Sequence, residues 1–280
     1  MTDTRIRSER KFANVLGVHT AFYRKGSGKS LVLLHGSSPG ACSELNWFRN
    51  FDALAEMGFD VIAYDQPGFG YSSAPQDHGI EFRYAHAKAF LHMLGLARAV
   101  LIGNSMGGLI SVLLSERLRE SAIAIDGLVL AAQFPHFEIS DETKARMQQH
   151  MSRLAALEPN LESVRALTSN TLANHENLTE ELLQLRLTML ARTYEAHKAR
   201  GKAGAGFDSE AVRAKPVDTR TLIFWGIDDH SLPVEIGLES MKHFSNAEFV
   251  FLPRCGHWPQ TEHAAHMNRM IEEFAGDEPH

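Results

Sequence analysis

The residues best suited to chemistry stand in three separate stretches. The first is Gly103-Asn104-Ser105-Met106-Gly107, a G-x-S-x-G turn between the apolar run "AVLI" and the periodic segment "GGLISVLLSERL". A serine at the apex of a strained strand-to-helix turn is held up as a nucleophile, and small flanking residues let the two backbones approach. Serine is weak at its own pKa and needs a base, which in turn needs an orienting acid. "IDDHSLP" offers Asp228 and Asp229 after the run "RTLIFWG", and "RCGHWPQ" offers His257 after "AEFVFLP". The chain order serine, acid, histidine is the one expected when each group follows a later strand of one sheet. Asp229 is preferred as the acid, with Asp228 as the alternative.

Charge developing on a substrate oxygen must also be held, which backbone N–H groups can do. Met106, the residue after the serine, provides one. The loop "LLHGSSPGA" provides the other through the main chain of Ser37. His35 in that loop is expected to brace it rather than to act as a second base.

The elements that must position these groups follow from the hydrophobic pattern. Short runs rich in branched residues, "HTAFYRKG" (19–26), "LVLLHG" (31–36), "FDVIAYD" (59–65), "AVLIGN" (99–104), "IDGLVLAA" (125–132), "RTLIFWG" (220–226) and "AEFVFLP" (247–253), read as strands. The segments "NWFRNFDALAEMG", "FRYAHAKAFLHMLG" and "GGLISVLLSERLRE" space apolar residues at three and four, the helical interval. That alternation predicts an α/β protein with a mostly parallel central sheet and helices on both faces. It breaks between about Pro135 and Gly206, where only helical segments occur: "DETKARMQQHMSRLAALEP", "LESVRALTSNTLA" and "TEELLQLRLTMLARTYEAHKAR". The expected organisation is a core over 1–133, a helical cap over 134–206, and the rest of the core over 207–280.

Composition narrows the function classes. The 280 residues carry a net charge of −6 with no basic stripe, so nucleic acid is not the expected partner. The fifteen histidines are dispersed, with no HExxH and no CxxC, and two cysteines, Cys42 and Cys255, do not make a disulfide framework. No apolar run has the length of a signal peptide or membrane span, so the expectation is a soluble cytoplasmic protein without a membrane partner.

Taken together, "LLHGSSPGACSELNWFRN", "YDQPGFGYS", "GNSMGG", "LTEELLQLR", "FWGIDDHSLP" and "CGHWPQTEH" resemble the meta-cleavage-product hydrolases, carbon–carbon bond hydrolases of the α/β-hydrolase superfamily. The likeness runs from about Leu31 to Phe274 and covers core and cap. It implies the α/β-hydrolase fold, no metal or organic cofactor, and hydrolysis of 2-hydroxy-6-oxohexa-2,4-dienoates, the ring-fission products of aromatic catabolism. Ketonisation of the dienol would precede attack of Ser105 at C6. The resemblance further implies Arg186 as the group that meets the substrate carboxylate, with Asn46, Asn104 and Trp258 as further substrate contacts. It also implies a homodimer or larger homo-oligomer.

Three positions depart from the family's usual pattern. Gly36-Ser37-Ser38 stands where consecutive glycines are common, "QFPHFE" follows the strand at 125–132, and Thr171 stands where a larger aromatic residue is frequent. These differences fall where the group on C6 would lie, and Phe134, Phe137 and Met147 are candidates to line that end. A carboxylesterase or lactonase would use the same Ser105, Asp229 and His257 and would not need Arg186 or Asn104.

Overall fold

The computed structural model describes residues 5–118, 123–203 and 216–276. Eight strands form one sheet: β1 (Lys11–Val15), β2 (Val18–Lys25), β3 (Ser30–Leu34), β4 (Asp60–Tyr64), β5 (Arg98–Asn104), β6 (Ala124–Ala131), β7 (Thr221–Gly226) and β8 (Ala247–Leu252). Their order is β1-β2-β4-β3-β5-β6-β7-β8. The pairings β1 with β2 and β2 with β4 are antiparallel, and every other pairing is parallel.

The parallel strands are predominantly apolar because both faces of the sheet are covered. Leu31 and Leu33 of β3 share one core with Val61 and Ala63 of β4, while Val32, Leu34, Ile62 and Tyr64 share the core on the opposite face. Successive residues of a strand point to opposite sides, so each run feeds two cores. The chain moves from β3 to β4 on one side and then to β5 on the other. The order therefore reverses between β3 and β5, and a crevice opens beyond their carboxyl ends, the usual place for a ligand in an open α/β sheet.

Helices α1 (Ser43–Trp47), α2 (Phe51–Glu56), α3 (Ile80–Met93) and α4 (Met106–Arg117) follow the first strands. α3 stops before Gly95, whose φ of +66° suits a residue with no Cβ. Between β6 and β7 come α5 (Asp141–Ala155), α6 (Leu161–Thr171), α7 (Glu180–Arg192) and α8 (Tyr194–Ala203). Each of the first three starts on a side-chain cap: Ser140, Asn160 and Thr179 accept from the N–H groups of Thr143, Ser163 and Leu182. α9 (Val234–Ser240), α10 (Pro259–Glu262) and α11 (Ala264–Gly276) complete the chain. Among the described residues no helix is long and apolar enough to cross a membrane.

The seven expected strands are present with shifts of one or two residues at their ends. β1, "KFANV", was not expected; it is an edge strand, half exposed, so it lacks the apolar run that marks the others. β2 and β3 are consecutive but not neighbours, because β4 lies between them. The single helix expected over 46–58 is two. Leu45 and Phe48 pack in a cluster with Trp258, whereas Trp47, Phe51 and Leu54 join the sheet core, and one straight helix cannot serve both. Asn50 stands at the break and donates to Asn268 of α11 at 2.7 Å. The segment 179–200 also divides, at Thr193, whose hydroxyl donates to the Met189 carbonyl at 2.8 Å, a back-bond that bends helices. The expected boundary at 206/207 lies outside the described residues.

Candidate active site

Ser105 sits between the end of β5 and the start of α4 with φ 54° and ψ −119°. A non-glycine residue there carries strain of order 1–3 kcal/mol, which the surroundings must enforce. They do so by contact on both sides. A Cβ on Gly103 would stand 2.6 Å from the Gly107 backbone, and one on Gly107 would collide with the Leu34 carbonyl of β3. The turn is pinned by bonds from Ser105 N–H to the Ala131 carbonyl (3.0 Å) and from Phe134 N–H to the Ser105 carbonyl (2.9 Å).

Asp229 lies in the loop after β7, and His257 in the loop after β8. The His257 Nδ1 is 2.7 Å from Asp229 Oδ2. The other oxygen, Oδ1, accepts from the backbone N–H groups of Ser231 (2.8 Å) and Leu232 (2.9 Å). Three hydrogen bonds fix the buried carboxylate as an acceptor, so the imidazole carries its proton on Nδ1 and presents Nε2 as the base. Asp228 is exposed, and its N–H donates to the Cys255 carbonyl at 3.0 Å. Of the two candidate acids, only Asp229 meets the histidine.

Ser105, His257 and Ser37 line one narrow cleft of about 40 Å³, together with Leu167, Thr171 and His150 from the helices between β6 and β7. The Ser37 loop is brought against the serine by Gly36, where a Cβ would stand 3.2 Å from the Ser105 Cβ. His35 braces that loop. Its Nε2 accepts from the Gln66 N–H (2.9 Å), which leaves Nδ1–H to donate to the Gly36 carbonyl (2.6 Å). Burial holds this ring down at about 4, so it stays neutral. Met106 opens α4, and the first N–H groups of a helix have no intrahelical acceptor.

The remaining expected residues divide. Asn104 donates to the carbonyls of Ala131 (2.9 Å) and His257 (3.2 Å), and its Oδ1 accepts from Asn46 (2.9 Å). The pair ties the serine turn to β6 and to the histidine loop from behind. Arg186 on α7 is fully buried and donates to the Pro39 carbonyl (3.1 Å), Thr168 Oγ1 (3.1 Å) and Ser38 Oγ (2.9 Å). Trp258 packs under it, with the guanidinium 5.1 Å from the ring centroid. Burial pushes Arg186 down to about 9. Three of its five N–H groups serve the protein, and among the described residues no carboxylate pairs with it.

Two features were absent from the sequence reading. His150 of α5 enters the cleft, and burial, then His257, lowers its pKa. Glu262 holds the histidine loop to the helical segment: Oε1 accepts from the Gly256 N–H (2.7 Å), and Oε2 accepts from those of Ala173 (2.8 Å) and Asn174 (2.7 Å). The Thr171 carbonyl completes the clip by accepting from the His257 N–H at 2.8 Å. Glu262 stands inside the quoted motif "CGHWPQTEH", which was the available signal.

Beyond the cleft the space widens to a cavity of about 730 Å³. The two share Ser37, Phe134, Met147, Met151 and Leu154. Phe134, Phe137 and Met147 all face the wider part.

Comparison with known proteins agrees with this geometry. A model of the family described as the alpha/beta hydrolase fold matches residues 29–264. The 2-hydroxy-6-oxononadienedioate/2-hydroxy-6-oxononatrienedioate hydrolase of Paraburkholderia phymatum is 34% identical over 294 residues, covering 99% of this chain and 100% of the relative. The 2-hydroxy-6-oxo-6-phenylhexa-2,4-dienoate hydrolase of Comamonas testosteroni is 30% identical, covering 89% of this chain and 88% of that one. Among solved structures, the 2-hydroxy-6-oxo-6-phenylhexa-2,4-dienoate hydrolase of Rhodococcus sp. strain RHA1 superposes with a TM-score of 0.82 at 24% identity, over 97% of this chain and 99% of that one. With the full-length match to these relatives and the serine turn, acid and histidine on three loops of one sheet, the chain belongs to the α/β-hydrolase family and, within it, to the meta-cleavage-product hydrolases.

Proposed function

We propose that this protein cleaves a carbon–carbon bond in 2-hydroxy-6-oxohexa-2,4-dienoate-type products of aromatic ring fission, with Ser105 as nucleophile. His257 accepts the serine proton through Nε2, and Asp229 holds the ring in that tautomer. The N–H groups of Ser37 and Met106 receive the oxygen that becomes negative at C6. The bond to C5 then breaks, its electron pair passes into the carbonyl conjugated with C5, and His257 returns a proton. Such a leaving group is tolerable only in the keto form, so proton transfer to the dienol comes first. Water, deprotonated by His257, then attacks the acyl group left on Ser105 and the serine takes back its proton, so the products are 2-hydroxypenta-2,4-dienoate and a carboxylic acid.

Arg186 carries this reading. It is a fully buried guanidinium with no carboxylate partner among the described residues, bonded to Ser38 beside the cleft that holds Ser105 and His257. A buried cation is costly without a counter-ion. A substrate carboxylate supplies one, and the two remaining N–H groups can orient it. A simple ester leaves the arginine without a counter-ion. We assign Asn46 and Asn104 to the positioning of the turn, Trp258 to the support of Arg186, and helices α5 to α8 to a cap over the crevice. The whole set acts on a small molecule.

The test is the visible absorbance of the dienolate. Rapid bleaching of a 6-oxo dienoate that depends on Ser105, at a kcat/KM far above that for p-nitrophenyl acetate, is the expected result. Turnover of the ester alone would assign the same three residues to a carboxylesterase.

A further inference from the structure

The wide cavity is lined by a feature that the chemistry at Ser105 does not use. Arg83, near the start of α3, and Arg200 on α8 both line it, and both guanidinium groups lie against the ring of Phe69, at 5.1 and 3.8 Å from its centroid. Arg83 is 7% exposed. Its Nη1 has no hydrogen-bond partner, and neither has Arg200 Nη2, both atoms being buried. The bonds they do make go to backbone carbonyls: Arg83 Nε to His78 (3.4 Å) and Arg200 Nη1 to Gly68 (2.8 Å).

Among the described residues no carboxylate forms an ion pair with either arginine. Glu138, which also lines the cavity, pairs with Lys144 at 3.6 Å. The histidines on the same wall, His78 and His197, each have one buried ring nitrogen without a partner. Burial pushes Arg83 down to about 10, and burial followed by the charge of Arg83 pushes Arg200 down to about 9. Two buried like charges with idle donors form a costly arrangement that an anion would relieve. The amino end of the 14-residue α3 adds its backbone dipole at Gly79 and Ile80.

We propose that Arg83 and Arg200 form a second anion subsite, which binds a carboxylate at the far end of the substituent on C6, so that the substrate is a dicarboxylate. This rests on the reading of Ser105 as the site of attack at C6. The cavity and the cleft of Ser105 share Ser37, Phe134 and Met147, whereas the two arginines line the cavity alone. A chain with apolar methylenes and a terminal carboxylate matches that set of surfaces. An aryl group would leave both guanidinium groups uncompensated.

The experiment compares three 2-hydroxy-6-oxo dienoates whose C6 substituents are carboxyethyl, propyl and phenyl. For wild type we expect kcat/KM for the carboxyethyl compound to exceed that for propyl by about 10- to 100-fold, the scale of a lost charged hydrogen bond, chiefly through KM. In Arg83→Met and Arg200→Met that preference collapses while turnover of the propyl compound persists, which also shows that the variants fold. Succinate, the acid released from the carboxyethyl substrate, should inhibit wild type far more strongly than butyrate, and this difference should vanish in both variants. Equal kcat/KM for all three compounds in wild type, or equal losses on charged and uncharged tails in the variants, would overturn the subsite and leave the carbon–carbon hydrolase standing. If no dienoate is turned over, the reading of Ser105 fails and this inference fails with it.

Discussion

The molecule buries arginine at two places around one cavity, and the two are built differently. Arg186 is threaded through the Ser38 loop, with three N–H groups bonded to Pro39, Thr168 and Ser38 and its face on Trp258. Arg83 and Arg200 rest on Phe69 with buried nitrogens that meet nothing. A guanidinium tied to a loop beside the nucleophile sets where the reacting end of a substrate lies. A guanidinium pair with idle donors, lining the wide cavity and not the nucleophile's cleft, can contribute only through a ligand that reaches it. The first is thus a fixed part of the catalytic end, and the second selects the tail.

Changes at the catalytic end should act on every dienoate. Ser105→Ala is expected to lower hydrolysis by about 10⁴-fold or more. Steady-state release of the acid product measures this, with circular dichroism as the check on folding. Asp229→Asn should cost about 10³- to 10⁴-fold in kcat, because the histidine loses its fixed tautomer. Asp228→Asn, on an exposed neighbour, should leave kcat unchanged. Equal effects of the two would contradict the geometry at His257.

Arg186→Met should raise KM by about 10- to 100-fold for carboxyethyl, propyl and phenyl dienoates alike. It should leave p-nitrophenyl acetate turnover nearly intact. Loss confined to one tail would erase the distinction drawn between the two arginine sites.

Glu262→Gln weakens the acceptor that holds Gly256, Ala173 and Asn174. Urea unfolding should show a loss of about 2 kcal/mol, with a smaller fall in kcat as the His257 loop loosens. The smallest effect concerns pH. Burial holds His35, His86 and His136 near 4, below the ordinary histidine value of 6.5. The unfolded chain therefore binds more protons than the native one between those limits, and stability falls as pH drops through that window. Each histidine should cost about 1 kcal/mol by pH ~5.5, and His86→Phe should remove its share of the slope in unfolding free energy against pH.

What could be read from the chain was local. The serine turn announces itself because Gly103 and Gly107 must be small where β5, α4 and β3 crowd together. Asp229 and His257 follow apolar runs that can only be buried strands, so their loops were legible, and the spacing favoured Asp229 without removing Asp228 as the alternative. That choice depends on which carboxylate the Ser231 and Leu232 N–H groups capture, and this becomes visible only after the loop closes. β1 was illegible because an edge strand needs no apolar run.

Contacts between distant segments left no pattern in the sequence. Nothing in the sequence singles out Arg83 and Arg200, and only folding brings them to one aromatic ring. For Asn104, the resemblance implies a substrate contact; that its amide also ties the serine turn to Ala131 and His257 shows only in the fold.

The central claim is that a carbon–carbon bond is hydrolysed. Bleaching alone reports loss of the dienol, which ketonisation also causes. The direct measurement is therefore mass-spectrometric analysis of the acid released from a 6-oxo dienoate in water enriched in heavy oxygen. One acid molecule per dienoate consumed, carrying one heavy oxygen and absent with Ser105→Ala, is the predicted result. Bleaching without release of acid would contradict it.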